Sequence, residues 1–185
     1  MKIAVFCGSS SGNDIAYTDA TKKLGKFLAQ KNIDLVYGGG NVGLMGTIAD
    51  AVMENGGKVY GVIPEKLEKK ELSHTNITEL TVVSNMHERK AMMENMADAF
   101  IVLPGGAGTL EEIFEVWTWA QLGFHHKPCA FLNVNGYYDK LFELIESMCE
   151  AKFLKQEYLD MLIKTDNQEK LLQEILEYVP PKDKW

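Results

Sequence analysis

Short apolar runs alternate with longer amphipathic stretches along most of the chain. The runs are rich in β-branched and aromatic residues, which favour buried strands, and six of them occur: Ile3–Cys7, Ile33–Tyr37, Lys58–Ile63, Glu79–Val83, Ala99–Leu103 and Cys129–Val134. Helical periodicity is found near residues 14–31, 43–55, 85–97, 109–122, 137–151, 155–161 and 167–178. Because strands that alternate with helices are joined by right-handed crossovers, the pattern predicts an α/β fold: a doubly wound parallel sheet with helices on both faces.

Length and charge narrow the classes of protein that fit this pattern. The chain has 185 residues, enough for one two-faced core, so we predict a single nucleotide-binding domain over 1–180 and a short tail over 181–185. The formal net charge is −7, and no lysine- or arginine-rich run is present. Surfaces that bind nucleic acid or anionic membrane normally need a basic face, so neither partner is expected.

Cysteine usage and the lengths of the apolar runs bear on the compartment. Cys7, Cys129 and Cys149 form an odd, widely spaced set that resembles neither a disulfide framework nor a zinc site. No secretory leader pattern is visible, and no apolar run reaches the ~18 residues that a membrane span needs. We therefore expect a cytoplasmic protein with free thiols.

Glycine-rich turns follow the first two predicted strands. Ligands bind at the carboxyl ends of parallel strands, so both turns are candidate binding loops. In the turn at 8–12, Gly8 allows close backbone approach and Ser9 can donate to phosphate or ribose, although the same residues also suit an ordinary helix start. The turn at 38–46 contains Gly39 and Gly40 in a G-x-G-x-x-G match without a following ribose-binding acid. This second turn predicts a backbone surface for a nucleotide that lacks the second half of a dinucleotide.

A third turn, P-G-G-A-G-T at 104–109, follows the fifth predicted strand. Its glycines expose successive amides at a helix N-terminus, where the helix dipole favours an anion such as phosphate. The alternative needs no ligand: Thr109 and Glu112 have the spacing of a capping box. A capping box leaves the preceding Pro-Gly-Gly-Ala run and the acid Glu111 unexplained, so we favour the phosphate site.

The helical stretch that begins near residue 85 places a cation among apolar side chains. Met86, Arg89, Met93 and Met96 recur at helical spacing and share one stripe. An arginine in such a stripe normally has a specific partner, because a stranded guanidinium is costly. The alternative is an arginine that reaches solvent at the helix end. Lys90 lies one position round the helix, and we expect it to face water.

Several of these segments together resemble the signature sequences of the Lonely Guy (LOG) family. The run P-G-G-A-G-T-L-E-E at 104–112 is similar to the P-G-G-x-G-T-x-x-E signature, and M-H-E-R-K at 86–90 is similar to the companion M-H-x-R-K element. Segments 7–10, 37–46 and 119–123 also match, so the likeness covers nearly all of the chain to about residue 155. LOG enzymes are cytokinin riboside 5′-monophosphate phosphoribohydrolases, once widely labelled lysine decarboxylases.

The resemblance implies a Rossmann-like homodimer that cleaves an N6-substituted adenosine 5′-monophosphate into free base and ribose 5-phosphate. We expect no cofactor, and no metal, because His125 and His126 lack a third ligand at useful spacing. By position, it implies that Arg89 and Glu112 are catalytic. The substrate-binding residues that it implies are Glu71, Arg89, Lys90, Gly106, Ala107, Gly108, Thr109, Leu110, Glu111, Glu112 and Thr118. The turns themselves add Gly8, Ser9, Gly39, Gly40, Pro104 and Gly105. Ala107 stands where plant members commonly have Tyr, which removes any base or dimer contact of that side chain.

Glycosidic cleavage passes through an oxocarbenium-like sugar, and we expect Glu112 to stabilise its positive charge and orient water. Arg89 would align that carboxylate, or brace the phosphate, through a bidentate contact. The purine must also leave protonated or hydrogen-bonded, and the motifs contain no clear general acid for this step. Asp98 is one candidate, although its position at the start of a strand suits a turn acid equally well. Two other classes stay open: a non-catalytic nucleotide-binding module of the same fold, and a dinucleotide-dependent oxidoreductase, against which the missing ribose acid counts.

Two apolar patterns remain ambiguous. The helix near 109–122 has aromatic residues on more than one face, which suits either a dimer interface or burial within one subunit; these residues are Phe114, Trp117 and Trp119. Methionines near Arg89 suit either an adaptable pocket for an N6 group or an ordinary core; these are Met86, Met92 and Met93.

Overall fold

A computed structural model describes residues 1–68 and 73–181 of the chain. In these residues the fold is built on a seven-stranded parallel sheet. The strands are β1 (Lys2–Phe6), β2 (Asp34–Tyr37), β3 (Val59–Pro64), β4 (Glu79–Val83), β5 (Ala99–Val102), β6 (Cys129–Leu132) and β7 (Leu162–Thr165). The α-helices are α1 (Ile15–Gln30), α2 (Gly43–Glu54), α3 (Glu65–Glu68), α4 (Met86–Met96), α5 (Ala107–Gln121), α6 (Asp139–Glu150), α7 (Gln156–Leu159) and α8 (Gln168–Glu177). A 3₁₀ turn at Val134–Gly136 precedes α6. The predicted fold class is confirmed.

The order of the strands across the sheet is β4-β3-β2-β1-β5-β6-β7. The chain winds outward in one direction from β1 to β4, then returns to the centre and winds outward in the other direction from β5. The strand order therefore reverses between β1 and β5, which pair in register from Ile3 with Ala99 to Phe6 with Val102. In open α/β sheets the crevice at the carboxyl ends of such a strand pair is the usual ligand site.

Apolar helices cover both faces of the sheet, which explains why the central strands are apolar at consecutive positions rather than at alternate ones. All four residues of β5 and of β6 are buried. On one face, helices α1, α2 and α8 pack with side chains such as Leu24, Ile48 and Leu171. On the other face, helices α4 to α7 pack with side chains such as Met93 and Phe142.

Several element boundaries differ from the prediction. Strand β7 was not predicted, because its four residues include the half-exposed Lys164 and lie between two helical patterns. The helix predicted over 155–161 is the single turn α7, and the short helix α3 was not predicted. Helix α5 begins at Ala107 rather than at residue 109, and this shift changes the interpretation of the residues that follow.

Within residues 1–68 and 73–181, none of the helices combines the length and the apolar character that a membrane span requires. The predicted tail at 181–185 lies almost entirely outside these residues, and so does the predicted substrate-binding residue Glu71.

The start of helix α2 is locked against the loop that follows β1. Leu44 donates its backbone N–H to Gly8 O at 3.0 Å. The preceding residue, Gly43, has a φ of 58°, and a Cβ placed there would overlap the carbonyl carbon of Ser9. Both the backbone conformation and the space at Gly43 therefore require glycine.

Gly43→Ala is expected to destabilise the fold more than the matched substitution Gly56→Ala. Gly56 has a φ of 77°, so alanine carries the left-handed backbone cost of about 1–2 kcal/mol at either position. A Cβ on Gly56 meets nothing within 4 Å, whereas one on Gly43 meets backbone, which adds about 1–3 kcal/mol. Urea unfolding measures the difference; equal losses in the two variants would show that the contact with Ser9 is not rigid.

Candidate active site

A cavity of about 330 Å³ opens at the carboxyl ends of β1 and β5, where the strand order reverses. Loops after both strands, the start of α4 and the first turns of α5 surround it. The residues that line the cavity are Cys7, Gly8, Ser9, Met45, Met86, Arg89, Gly106, Ala107, Gly108, Thr109, Glu111 and Glu112. Both predicted catalytic residues therefore line this cavity. Residues of the turn after β1, of the start of α4 and of the turn before α5 line it as well.

The N-terminus of helix α5 forms one wall of this cavity. Helices α1, α4 and α8 each begin with an Asp or Asn whose side chain accepts a hydrogen bond from a first-turn amide. Helix α5 instead begins after Gly106, and within the described residues no side chain caps it. The backbone N–H groups of Ala107, Gly108 and Thr109 have no acceptor within the helix because they belong to its first turn. Together with the helix dipole, these amides favour an anion in the cavity.

The boundary of α5 also excludes the capping box that was the alternative for this segment. With Gly106 as the N-cap residue, Thr109 lies within the first turn and Glu112 lies in the second turn. Thr109 is buried and packs directly over the Cα of Gly105, where a Cβ would overlap its hydroxyl. Gly106 and Gly108 differ from Gly105, because a Cβ on either would meet no protein atom within 4 Å. These two glycines leave open space toward the cavity.

Arg89 and Glu112 face each other across the cavity. Arg89 Nη2 lies 3.9 Å from Glu112 Oε1, and the two side chains are 7% and 12% exposed. This distance is that of an ion pair and exceeds a hydrogen bond, so this contact is not the bidentate one that the sequence suggested. Arg89 also points Nη1 at the Met86 sulfur at 3.7 Å, and within the described residues its buried Nε has no hydrogen-bond partner.

The guanidinium of Arg89 reaches its place because Gly38 lacks a side chain. A Cβ on Gly38 would overlap Arg89 Nη2, so the backbone at the end of β2 forms the surface on which the guanidinium lies. The prediction that Arg89 is buried among apolar side chains and has a specific partner is confirmed, since it is 6% exposed and pairs with Glu112. Met86, by contrast, is exposed, whereas Met93 is part of the core.

Cys7 lines the cavity and lies close enough to Glu112 and Arg89 for both charges to act on its thiol. Burial raises the pKa of the Cys7 thiol, the Glu112 carboxylate raises it further, and the Arg89 guanidinium lowers it to a smaller extent. The thiol is therefore neutral at physiological pH, and a neutral thiol is a poor nucleophile. Cys7 contributes packing and a low-dielectric surface beneath the site.

The prediction that Lys90 faces water is wrong. Lys90 is 8% exposed, and its Nζ lies 2.5 Å from Glu111 Oε1 and 3.0 Å from Glu115 Oε2. Burial alone would lower the pKa of Lys90, but hydrogen bonds and charge attraction from both carboxylates outweigh it and raise that pKa. Glu111 lines the cavity, whereas Lys90 lies behind it and is not among the described lining residues.

The glycine-rich turn at 38–46 is packed mainly against the protein itself. Gly39 accepts a hydrogen bond at its carbonyl from His74 N at 3.1 Å, and Gly40 forms an isolated antiparallel bridge with Ser73. Both glycines are buried, and neither is among the described residues that line the cavity. The assignment of Gly39 and Gly40 to substrate binding stays a prediction. Met45, in the first turn of α2, lines the cavity and was not predicted to do so.

A second cavity of about 270 Å³ adjoins the first and shares Gly8, Ser9 and Gly106 with it. It is lined by the remaining residues of the 8–12 turn, by Pro104 and Gly105, and by an aromatic pair that was not predicted. The members of this pair, Tyr17 and Tyr137, meet edge to face with ring centroids 5.5 Å apart. The Tyr137 hydroxyl donates to Gly105 O at 2.6 Å, which fixes the loop that precedes α5.

Several predicted residues lie outside both cavities. Thr118 is exposed on α5, six residues beyond Glu112 and therefore about 9 Å further along the helix axis. Leu110 packs against the apolar core.

Asp98 accepts a hydrogen bond from Lys2 N at 2.8 Å at the opposite, amino end of the strands, so the suggestion that it protonates the leaving base is wrong. Trp117 is buried and donates to Tyr158 O at 3.0 Å, which assigns this aromatic to the core of the subunit.

Among residues 1–68 and 73–181, no group of three or more His, Cys, Asp or Glu side chains could hold a metal ion.

Residues 45–175 match a family model described as "Possible lysine decarboxylase". Curated relatives are similar over almost the whole chain. The cytokinin riboside 5′-monophosphate phosphoribohydrolase LOG2 of Arabidopsis thaliana is 50% identical over 182 residues, which is 98% of this chain and 85% of the relative. LOG1 of the same plant, named for the same activity, is 47% identical over 99% of this chain and 86% of its own length.

The fold is also similar to solved structures of more distant sequence. The molybdenum cofactor carrier protein of Chlamydomonas reinhardtii superposes with a TM-score of 0.73 over 96% of this chain and 98% of its own, at 17% identity. The molybdenum cofactor binding protein of Rippkaea orientalis superposes with a TM-score of 0.70 over 95% of each chain, at 19% identity. At this identity the likeness concerns the fold alone. The family model and the near-half identity to the plant enzymes show that the chain belongs to the Lonely Guy family.

Proposed function

We propose that this protein hydrolyses the N-glycosidic bond of an adenosine 5′-monophosphate, with or without an N6 substituent, to give the free base and ribose 5-phosphate. The observation that carries the proposal is one cavity that contains both an uncapped helix N-terminus and the Arg89–Glu112 ion pair. The first feature suits a phosphate, and the second suits a sugar that becomes positively charged. Relatives that are 47–50% identical over nearly the full chain carry the name of this activity.

The 5′-phosphate would bind at the start of α5. The amides of Ala107, Gly108 and Thr109 supply donors, and the helix dipole adds a partial positive charge. Gly106 and Gly108 present open space rather than a Cβ toward the ligand, so phosphate oxygens can approach the backbone closely. Local geometry therefore supplies the anion site in a chain whose net charge is −7.

The ribose would then lie over Glu112, five residues beyond Ala107 on the same helix. Departure of the base leaves positive charge on C1′ and the ring oxygen, and a nearby carboxylate stabilises this charge more strongly in a partly buried site than in water. The same carboxylate can orient a water molecule for attack on C1′. Arg89, whose Nη2 lies 3.9 Å from Glu112 Oε1, would align that carboxylate with the sugar and the attacking water.

The lysine decarboxylase description of the family model does not fit Lys90, the lysine beside the cavity. A lysine that forms a Schiff base must lose its proton, and enzymes achieve this by lowering its pKa. Lys90 is bound by two carboxylates that raise its pKa and keep it charged. This residue is therefore built as a fixed cation rather than as a nucleophile.

We also propose that the protein is a cytoplasmic homodimer. The family resemblance assigns Thr118 to the substrate, yet Thr118 is exposed and lies outside the described lining of its own chain's cavity. A second subunit packed along α5 would let this position approach a cavity. Phe124, 73% exposed just beyond α5, supports such an interface, and three free cysteines favour a reducing compartment.

Purified protein is expected to release free base from isopentenyladenosine 5′-monophosphate or AMP, measured by chromatography. Glu112→Gln should lower turnover by at least about 10²-fold, because the neutral amide cannot stabilise the oxocarbenium charge, yet it should still bind ribose 5-phosphate. The ratio of wild-type rates on the two nucleotides reports the preferred N6 group. Binding of both nucleotides without release of base would instead support a non-catalytic nucleotide-binding module, and full activity of Glu112→Gln would refute the role of that carboxylate.

Gly108→Ala is expected to raise KM by about tenfold or more, because the added methyl group would push the phosphate out of hydrogen-bonding distance of the α5 amides. The fold is expected to become no less stable. The new Cβ meets no protein atom within 4 Å, and alanine stabilises a helix by about 1 kcal/mol relative to glycine. Steady-state kinetics and urea unfolding measure the two effects. An unchanged KM would place the phosphate elsewhere than at the start of α5.

A further inference from the structure

Lys90 is a buried cation bound between two carboxylates of one helix. Glu111 and Glu115 are separated by four residues, which places them on one side of α5, one turn apart. Lys90 on α4 inserts between them, with its Nζ 2.5 Å from Glu111 and 3.0 Å from Glu115. Glu115 Oε2 is itself buried and accepts no well-aligned hydrogen bond among the described residues, so the ammonium 3.0 Å away contacts it as an ion pair. The contact therefore joins the two helices through a buried ammonium and two carboxylates, of which Glu111 is 55% and Glu115 is 24% exposed.

Two neighbouring residues of α4 thus contact two neighbouring residues of α5. Arg89 stands opposite Glu112 at 3.9 Å, and Lys90 contacts Glu111 at 2.5 Å. The Lys90 contacts are hydrogen-bond lengths, whereas the Arg89–Glu112 contact is longer than a hydrogen bond. The separation of the two helices at the cavity is therefore determined at Lys90, and Arg89 and Glu112 are held at the distance that this separation allows.

We infer that Lys90 is a positioning residue, which holds α5 against α4 through Glu111 and Glu115 so that the Glu112 carboxylate is correctly placed opposite Arg89. This inference rests on the proposed function, because the placement matters for stabilising the sugar in the transition state. It differs from the role that the family resemblance implies, in which Lys90 contacts the substrate itself.

The local charges favour positioning over phosphate binding. Two carboxylates already contact the Lys90 ammonium, so a phosphate approaching it would meet net negative charge. Lys90 also lies behind Glu111, which is 55% exposed at its side chain and lines the cavity, and Lys90 is absent from the described lining. Glu115 is likewise outside that lining, although it contacts Lys90. If Lys90 acts through Glu115, the effect of replacing Lys90 should depend on whether Glu115 is present. If Lys90 binds phosphate directly, that effect should not depend on Glu115.

A double-mutant cycle separates these roles, using Lys90→Met, Glu115→Gln and the double variant, each folded as judged by unfolding in urea. A misplaced Glu112 is expected to lower kcat on the order of 10²-fold in Lys90→Met and to lower it also in Glu115→Gln. The double variant should be no slower than Lys90→Met, because residues that act through one contact are not additive. Calorimetric Kd values for ribose 5-phosphate should stay unchanged in all three.

Lys127→Met is the matched control. Lys127 contacts Glu94 at 2.6 Å and ties the far end of α4 to the segment after α5, away from the cavity. Losing this pair should lower the free energy of unfolding and leave kcat unchanged. If Lys90→Met behaves in the same way, Lys90 is merely structural and the inference is overturned. If Lys90→Met weakens ribose 5-phosphate binding while Glu115→Gln has normal kcat, Lys90 is a phosphate ligand and the inference is again overturned.

Failure of the proposed function gives a different result. A wild-type protein that releases no base from either nucleotide contradicts the proposed hydrolysis, whatever Lys90 does. The cycle is then measured on the free energy of unfolding, where the Lys90–Glu115 contact must produce a coupling between the two substitutions. Additive losses there would show that the two residues do not act together, and the inference would fail independently of catalysis.

Discussion

One backbone hydrogen bond joins the two loops on which the site depends. Gly8 N–H donates to Pro104 O at 3.0 Å, linking the segment after β1 to the segment after β5. These strands are neighbours in space although more than 90 residues separate them in sequence, and between them the strand order reverses. The link determines where α5 begins relative to Cys7 and Ser9. The cavity therefore follows from sheet topology first and from side chains second.

Much of this arrangement was predictable from local patterns, because a fully covered parallel sheet has apolar strands that are easy to recognise. The turns after β1 and β5 were expected at the same edge of the sheet, since parallel strands place their carboxyl ends there, and residues of both turns do line one cavity. Strand β7 was missed because it is an edge strand of four residues, in which the half-exposed Lys164 interrupts the apolar pattern. Edge strands need burial on fewer sides, so their sequences carry less signal.

The site residues divide in a similar way. The family resemblance assigned Arg89 and Glu112 to one site, and the structure places them 3.9 Å apart. The sequence did not predict that α5 begins at Ala107, because the T-x-x-E pattern suits a helix whose N-cap is Thr109 itself. Helical spacing also misplaced Lys90: its position on α4 suggested solvent, and only the packing of α5 across it shows the two carboxylates. The glycines of the 38–46 turn have steric causes in the protein, such as the guanidinium that lies on Gly38, which no local pattern contains.

The charged groups at the carboxyl edge of the sheet fall into two kinds: those with close partners in the protein and those without. Lys90 is neutralised by close carboxylates, and this contact stabilises the packing of α4 against α5. Arg89 is buried on a glycine backbone, keeps an unpartnered Nε among the described residues and remains 3.9 Å from its carboxylate, an arrangement that stabilises the free protein less than a close pair would. No side chain in the described part of the chain caps helix α5, whereas α1, α4 and α8 each have such a cap. At the cavity, the first-turn amides of α5 and the Nε of Arg89 thus lack side-chain partners among the described residues, and a nucleotide would offer phosphate oxygens to the amides and a developing cation to the Glu112 carboxylate.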